Sequence, residues 1–277
     1  MSRFKLMNGV EIPEIGFGTF KITDPSEAYD SVATALKCGY THIDTAAVYK
    51  NEEYVGKAVK NSGISRHNLF ITSKVWNTDR GCDSTVAACE ESLRKLGTDY
   101  LDLYLVHWPA TAHRFENWKE INADTWRGME KLYRDGKVRA IGVSNFLTHH
   151  LEPLLETAEI VPMADQIEFH PGYLQEDIIA MCRSLDILVE AYSPLGRGNL
   201  LNDYTLSSIA EKYGLTTAQV CVSWCLAHGN LPLPKSRHAD RIKSNFITAE
   251  LDSEDIAAID AIKGVWWSGH TADEIDF

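Results

Sequence analysis

Gly39-Tyr40-Thr41-His42-Ile43-Asp44-Thr45-Ala46-Ala47-Val48-Tyr49-Lys50-Asn51-Glu52-Glu53-Tyr54-Val55-Gly56 is the stretch around which the rest of the chain is organised. Tyr40 to Asp44 reads as a short strand, and strand alternation puts His42 and Asp44 on one face with Ile43 on the other. Asn51 reads as a helix N-cap. Glu52 and Glu53 suit a first helical turn, and Val55, Ala58 and Val59 recur at the spacing of one buried stripe. Tyr49 therefore falls on a strand-to-helix loop, just past an acidic strand end. A lone Asp or Tyr in such a place is ordinarily structural. Here two later strands also end in ionisable residues, Leu69-Phe70-Ile71-Thr72-Ser73-Lys74 in a lysine and Tyr100-Leu101-Asp102-Leu103-Tyr104-Leu105-Val106-His107 in a histidine.

The same strand-then-helix unit repeats outward in both directions. Towards the N-terminus, Asn8-Gly9 predicts a hairpin turn within Arg3 to Pro13, Ile15 to Phe20 a strand ending in small residues, and Asp24-Pro25-Ser26-Glu27 the start of a helix to Cys38. Further strands are expected at 41–44, 69–74, 101–107, 138–144, 163–168, 187–192 and 231–233. Helices are expected at 51–62, 81–96, 124–135 after a long insertion, 147–157, 174–184, 205–213 and 238–245, with 216–228 and 253–263 as two additional ones. Alternation of this kind implies a parallel sheet with right-handed crossovers. Repetition to this count implies an α/β fold, a single (β/α)8 TIM barrel over residues 1–277 with an N-terminal β-hairpin. A doubly wound sheet lacks its fingerprint, because Gly16-Phe17-Gly18 is not followed by the rest of a Gly-x-Gly-x-x-Gly loop. In such a barrel the C-terminal strand ends share one mouth, which gathers Asp44, Tyr49, Lys74 and His107, with Ser144, Asn145, Gln166, Tyr192 and Ser193 on the rim.

Composition narrows the partners. A net charge of −12 argues against nucleic acid or an acidic membrane surface, because neutralising phosphates needs clustered Lys and Arg. The run from Lys235 to Lys243 is the one basic exception. Nothing approaches the length of a membrane span and the first residues form no apolar signal segment, so a cytoplasmic protein is expected. The six cysteines include no Cys-x-x-Cys pair and no Cys/His ligand spacing, which predicts reduced core residues and no metal. No oligomerisation stripe is evident, and a monomer is expected.

Three segments carry a resemblance to the aldo-keto reductase superfamily: Gly39 to Gly56, Lys137-Val138-Arg139-Ala140-Ile141-Gly142-Val143-Ser144-Asn145-Phe146, and Leu233-Pro234-Lys235-Ser236 continuing to Arg241 and Asn245. The resemblance covers nearly the whole chain. It implies NADPH-linked reduction of a small-molecule carbonyl on a (β/α)8 barrel without metal or flavin, with Asp44, Tyr49, Lys74 and His107 as the catalytic tetrad. It also implies that Ser144, Asn145 and Gln166 hold the nicotinamide carboxamide, that Tyr192 stacks on the nicotinamide ring, and that Ser193 and Leu195 lie on the pyrophosphate side. Lys235, Ser236 and Arg241 match ligands of the 2′-phosphate of NADPH/NADP+, Asn245 lies towards adenine, and Gly18, Thr19 and Asp44 complete the cofactor set. Thr41, Asp165 and Ser244 depart from the family pattern, and Arg197-Gly198-Asn199 stands where some relatives have a longer loop over the cofactor.

The chemistry needs these residue types. Carbonyl reduction requires a hydride at carbon and a proton at oxygen. A tyrosine with its free pKa of about 10 is a weak acid, and a neighbouring ammonium is expected to lower that value. Lys74 suits the role, Asp44 keeps it charged and oriented, and His107 can donate a hydrogen bond to the carbonyl oxygen. A helix N-terminus near Ala239-Asp240 would add its dipole to Lys235 and Arg241. Phe20, Trp76 and Trp108 are expected to wall the substrate side with Tyr49 and His107, Trp266 or Trp267 to join them, and the tail from Gly264 to Phe277 to cover the mouth. Two other readings compete: a non-enzymatic cofactor-binding protein on the same scaffold, and a Schiff-base lyase using Lys74.

Overall fold

The computed structural model describes residues 3–263, 268–269 and 271–275. β1 (Arg3–Lys5) and β2 (Glu11–Pro13) form the antiparallel N-terminal hairpin. Eight further strands follow: β3 (Gly16–Gly18), β4 (His42–Asp44), β5 (Phe70–Val75), β6 (Leu103–Val106), β7 (Ile141–Ser144), β8 (Ala164–Glu168), β9 (Leu188–Tyr192) and β10 (Leu231–Leu233). They lie side by side in chain order, each pairing in parallel with the next from β3 to β10. Helices cover the outside, so the strands are buried on both faces and read as short apolar runs. This is the expected (β/α)8 barrel.

The barrel closes where β10 meets β3, and the chemistry of that seam is set by proline. Gly18 N donates to Pro234 O at 3.1 Å, so position 234 faces β3. Alternation turns Pro232 the same way, and neither proline has an N–H to give across the gap. Close approach supplements the Gly18 bond there. A Cβ built on Gly16 would sit 2.4 Å from Leu233 Cδ2 and 2.6 Å from His42 Nδ1, so only glycine fits.

Local chemistry explains most helix limits. α1 (Pro25–Cys38) starts on Asp24, whose Oδ1 accepts from the N–H groups of Ser26 and Glu27 at 2.9 Å, and ends on Gly39 at φ 106°. α2 (Glu52–Asn61) follows Asn51, but that side chain does not cap it. Thr45 Oγ1 donates to Asn51 Oδ1 at 2.7 Å, and Asn51 Nδ2 donates to the carbonyls of Thr19 and Ile22, each at 3.0 Å. Asn51 thus ties the Tyr49 loop to the segment after β3. α3 (Cys82–Leu96) lies close to its predicted place, whereas α4 (Trp118–Arg134) begins well before residue 124. Its early turns are fixed from a distance, because buried Asn122 accepts from Ala110 N at 2.7 Å and donates to Ala110 O at 3.0 Å.

α5 (Thr148–Leu155), α6 (Glu176–Ser184), α7 (Tyr204–Tyr213), α8 (Thr217–Ala227), α9 (Ala239–Ser244) and α10 (Ser253–Asp260) complete the chain. The surplus helices differ from expectation. α8 packs on β10 as part of the barrel's coat, while α7 and α10 lie outside it and pack on α8. Gln219 through Cys225 are all buried, so α8 shows no single apolar stripe by which to place it. Its Trp224 stacks on Phe169 with centroids 4.7 Å apart. Truncating that fully buried indole to alanine costs about 3–5 kcal/mol. All six cysteines are free thiols, and no helix among the described residues is long and apolar enough to cross a membrane.

Candidate active site

A cavity of about 1030 Å³ opens at the C-terminal ends of the strands. Lys74, fully buried near the end of β5, lies behind the lining residues Asp44 and Tyr49. Its ammonium donates to Asp44 Oδ1 at 2.8 Å, to Asp44 Oδ2 at 2.7 Å and to the carbonyl of Thr45 at 2.9 Å. Three hydrogens meet three acceptors, so the nitrogen has no lone pair to offer as a nucleophile.

Tyr49 stands over this pair, its ring centre 5.2 Å from Lys74 Nζ and 5.7 Å from the His107 ring. Burial, and after it the charge of Asp44, raises the Tyr49 hydroxyl well above the usual phenol value. Lys74 does not bring the resting hydroxyl below the usual phenol range, because burial and the Asp44 carboxylate outweigh it. The phenol is therefore protonated at rest. His107 is held neutral, burial and then Lys74 pushing its imidazole well below the ordinary histidine range. Trp76 meets the His107 ring edge-on at 5.0 Å.

A second set of polar groups crosses the cavity wall. Asn145, in the left-handed region at φ 62°, donates through Nδ2 to His107 O at 2.9 Å and to Ser144 Oγ at 3.0 Å, and its Oδ1 accepts from Tyr192 Oη at 2.8 Å. Ser144 Oγ donates to Gln166 O at 2.7 Å. Gln166 Nε2 donates to Asp44 Oδ2 at 2.9 Å and to Glu190 Oε2 at 2.8 Å. Gln166 is thereby coupled to Asp44, the carboxylate that holds Lys74.

The far end of the cavity is cationic. Lys235, Arg237 and Arg241 line it, while Lys21 and Arg197, which also line the cavity, lie over the Phe20 ring. Burial of its stem and repulsion from Arg237, Lys21 and Arg197 lower the Lys235 ammonium below the usual lysine range, although the residue as a whole stays exposed. Among the described residues neither Lys235 nor Arg241 forms an ion pair. α9 has only six residues, so the side chains rather than a helix dipole dominate the positive charge here.

At the other end Trp108 is buried with Ala272 and Ile275, and Trp76 and Leu147 pack against them. Ser268 N donates to both oxygens of Glu168, at 3.1 and 3.2 Å, and Asp273 meets His149 Nε2 at 2.8 Å and His150 Nε2 at 3.2 Å. Those two histidines and Asp273 bring possible metal-ligand atoms within 4.8 Å of one another. Leu147 N donates to His150 Nδ1 at 3.2 Å, which leaves the proton of the neutral ring on Nε2. The cluster is thus a hydrogen-bonded clasp on the C-terminal segment and not a ready ligand set.

The structure brings Gly18, Phe20, Asp44, Tyr49, Trp76, His107, Trp108, Ser144, Asn145, Gln166, Tyr192, Ser193, Leu195, Lys235, Ser236, Arg241 and Asn245 to this one cavity. Thr19 and Lys74 are the exceptions: both are fully buried behind the wall, Thr19 Oγ1 donating to Asp44 O at 2.9 Å and Lys74 reaching the cavity through its contacts with Asp44 and Tyr49. Trp266 and Trp267 lie outside the described residues. Lys21 and Glu190 were not singled out from the sequence. Alternation from Tyr192 already places Glu190 on the inward face, whereas Lys21 depends on a left-handed backbone turn at φ 59° that no local pattern announces.

The family model for the Aldo/keto reductase family matches residues 14–263. Glyoxal reductase of Bacillus subtilis (strain 168) is 50% identical over 275 residues, covering 99% of this chain and 97% of that protein. The crystal structure of an aldo-keto reductase enzyme from a Medee basin deep-sea metagenome library superposes with a TM-score of 0.93 at 40% identity, covering 99% of this chain and 100% of that one. A mutant of Gox0644 in complex with NADPH superposes with a TM-score of 0.92 at 36% identity, covering 100% of this chain and 99% of that one.

Proposed function

The chain belongs to the aldo/keto reductase family, and from that premise we propose that it reduces small aldehydes and ketones, dicarbonyls among them, to alcohols with NADPH. The observation that carries the reading is the convergence of Tyr49, His107 and the Lys74–Asp44 pair at a cavity that five cations also line. The resemblance to glyoxal reductase supports the dicarbonyls, and the aromatic walls Phe20, Trp76 and Trp108 suit a compact substrate.

The residues present fit NADPH. Lys235 and Arg241, which form no ion pair among the described residues, suit a dianionic 2′-phosphate together with Ser236, and Asn245 lines the same cavity. Ser193 and Leu195 would lie along the pyrophosphate. Tyr192 offers a ring face, and Ser144, Asn145 and Gln166 offer amide and hydroxyl partners for a carboxamide. When bound, the cofactor supplies the hydride.

Tyr49 gives the proton. Its hydroxyl, kept protonated by burial, makes no hydrogen bond among the described residues and is left for the substrate oxygen. As the phenol gives up its proton, negative charge grows on its oxygen beside the Lys74 ammonium, which favours that charge, while Asp44 keeps the ammonium in place. Neutral His107 orients the carbonyl by donating an N–H to its oxygen. A Schiff base on Lys74 is disfavoured, because all three of its hydrogens are engaged.

The test is NADPH consumption by the purified protein across aldehydes, ketones, dicarbonyls and keto-sugars, with NADH alongside. Turnover of at least one class is expected, and none at all would leave the cofactor-binding, non-enzymatic reading in its place.

A further inference from the structure

Gln166 turns its amide nitrogen inward because both neighbours there, Asp44 Oδ2 and Glu190 Oε2, accept hydrogen bonds. Its oxygen is thereby left towards the cavity. Half of that constraint comes from Glu190, a fully buried carboxyl on β9. Its register neighbours are Gln166 on β8 and Leu231 on β10. From β4 it faces His42, whose Nε2 lies 3.8 Å from Glu190 Oε1, and Asp44; from β5 it faces Lys74. Among the described residues Oε1 makes no hydrogen bond, and His42 Nε2 is engaged instead with Thr72 Oγ1 at 3.0 Å.

This cluster therefore sets the Asp44 and Glu190 carboxyls against the Lys74 ammonium, which is bonded to both oxygens of Asp44. His42 adds no balancing charge, since burial and then Lys74 push its imidazole down to about 3. Burial, followed by the charge of Asp44, raises Glu190 to about 8. Near neutrality Glu190 carries its proton and the cluster is uncharged overall.

We propose that Glu190 is a positioning residue for turnover, a buried acid that orients the Gln166 amide and whose ionisation disables the site on the alkaline side. The inference rests on the reductase reading above. An ionised Glu190 adds a second negative charge with no cation to match it. That charge opposes the negative charge growing on Tyr49 as it donates, and on the substrate oxygen.

The experiment compares the full-length wild type with Glu190→Gln, which keeps the shape without an ionisable group, and Glu190→Leu, which removes the acceptor. Wild-type kcat/KM for a carbonyl with NADPH should fall through an ionisation near pH 8 that Glu190→Gln lacks. NADPH binding, read by fluorescence titration, should be roughly 5–10-fold weaker in Glu190→Leu than in Glu190→Gln, as loss of one hydrogen bond implies. Melting supplies a readout independent of activity. The folded protein keeps a proton that the unfolded chain loses above 4.5, so wild-type stability should decline relative to Glu190→Gln as pH rises from 4.5 to about 8, then level off.

Coincident pH profiles in active proteins, or a melting difference independent of pH, overturn the inference while leaving the reductase reading intact. An inert wild type sinks both. If Glu190→Gln does not fold, the wild-type profile decides: the absence of any ionisation near pH 8 overturns the role.

Discussion

Replacing Lys74 with methionine separates what the buried ion pair does for the fold from what it does for catalysis. Methionine fills a similar volume but takes away the cation that meets both Asp44 oxygens, leaving a buried carboxylate with Gln166 Nε2 as its remaining side-chain partner. Breaking a buried pair from one side costs about 3–5 kcal/mol. At about 2–4 °C per kcal/mol for a chain of this size, the melting temperature should drop by roughly 6–20 °C. Adding Asp44→Asn removes the stranded charge and should restore most of that loss. Turnover should not return, because the cation beside Tyr49 is still missing. Differential scanning calorimetry and NADPH consumption on the two variants make the comparison. A Lys74→Met protein that melts within about 2 °C of wild type, or a double variant no more stable than the single, would refute the electrostatic reasoning.

Three further outcomes are expected. Tyr49→Phe should lower kcat by about 10²–10⁴-fold, the usual worth of a positioned acid, while NADPH affinity measured by fluorescence stays close to wild type. Lys235→Ala should weaken NADPH binding roughly tenfold or more and leave NADH binding nearly unchanged; equal losses for both cofactors would remove Lys235 from the 2′-phosphate. Asp165 is fully buried with the Phe146 backbone N–H near its carboxyl, and burial raises that carboxyl well above the ordinary aspartate value. Its folded form holds a proton that the unfolded chain releases above 3.8, so wild-type stability is lost as pH rises from there towards the raised folded value. Asp165→Asn should gain on wild type by up to about 1.4 kcal/mol per pH unit in that interval, and parallel melting curves against pH would contradict it.

The order of strands was legible because each is a short apolar run bounded by turn or cap chemistry, as at Asp24 and Gly39 around α1. Features set by distant contacts were not. Nothing local marks Trp118 as the start of α4, because Asn122 is fixed by the Ala110 backbone. Asn51 has the residue type and position of a cap, yet its amide joins two other segments, Thr45 after β4 and the Thr19–Ile22 stretch after β3. Choosing which of α7 and α8 coats the barrel fails on sequence because a helix buried all round presents no stripe. At the site, side chains at strand ends could be gathered from barrel geometry alone. The protonated state of Tyr49 could not, since burial is a property of everything packed around the ring.

The proline-rich seam between β10 and β3 has a further consequence. Gly18 on one bank and Lys235 and Ser236 on the other both line the cavity, so any ligand reaching across them acts as a staple on the least bonded line of the sheet. Occupancy and resistance to opening then draw on the same atoms, and a ligand held at a hundred times its Kd adds about 2.7 kcal/mol to the folded state. A protein built this way guards itself against proteolysis in proportion to the supply of what it binds.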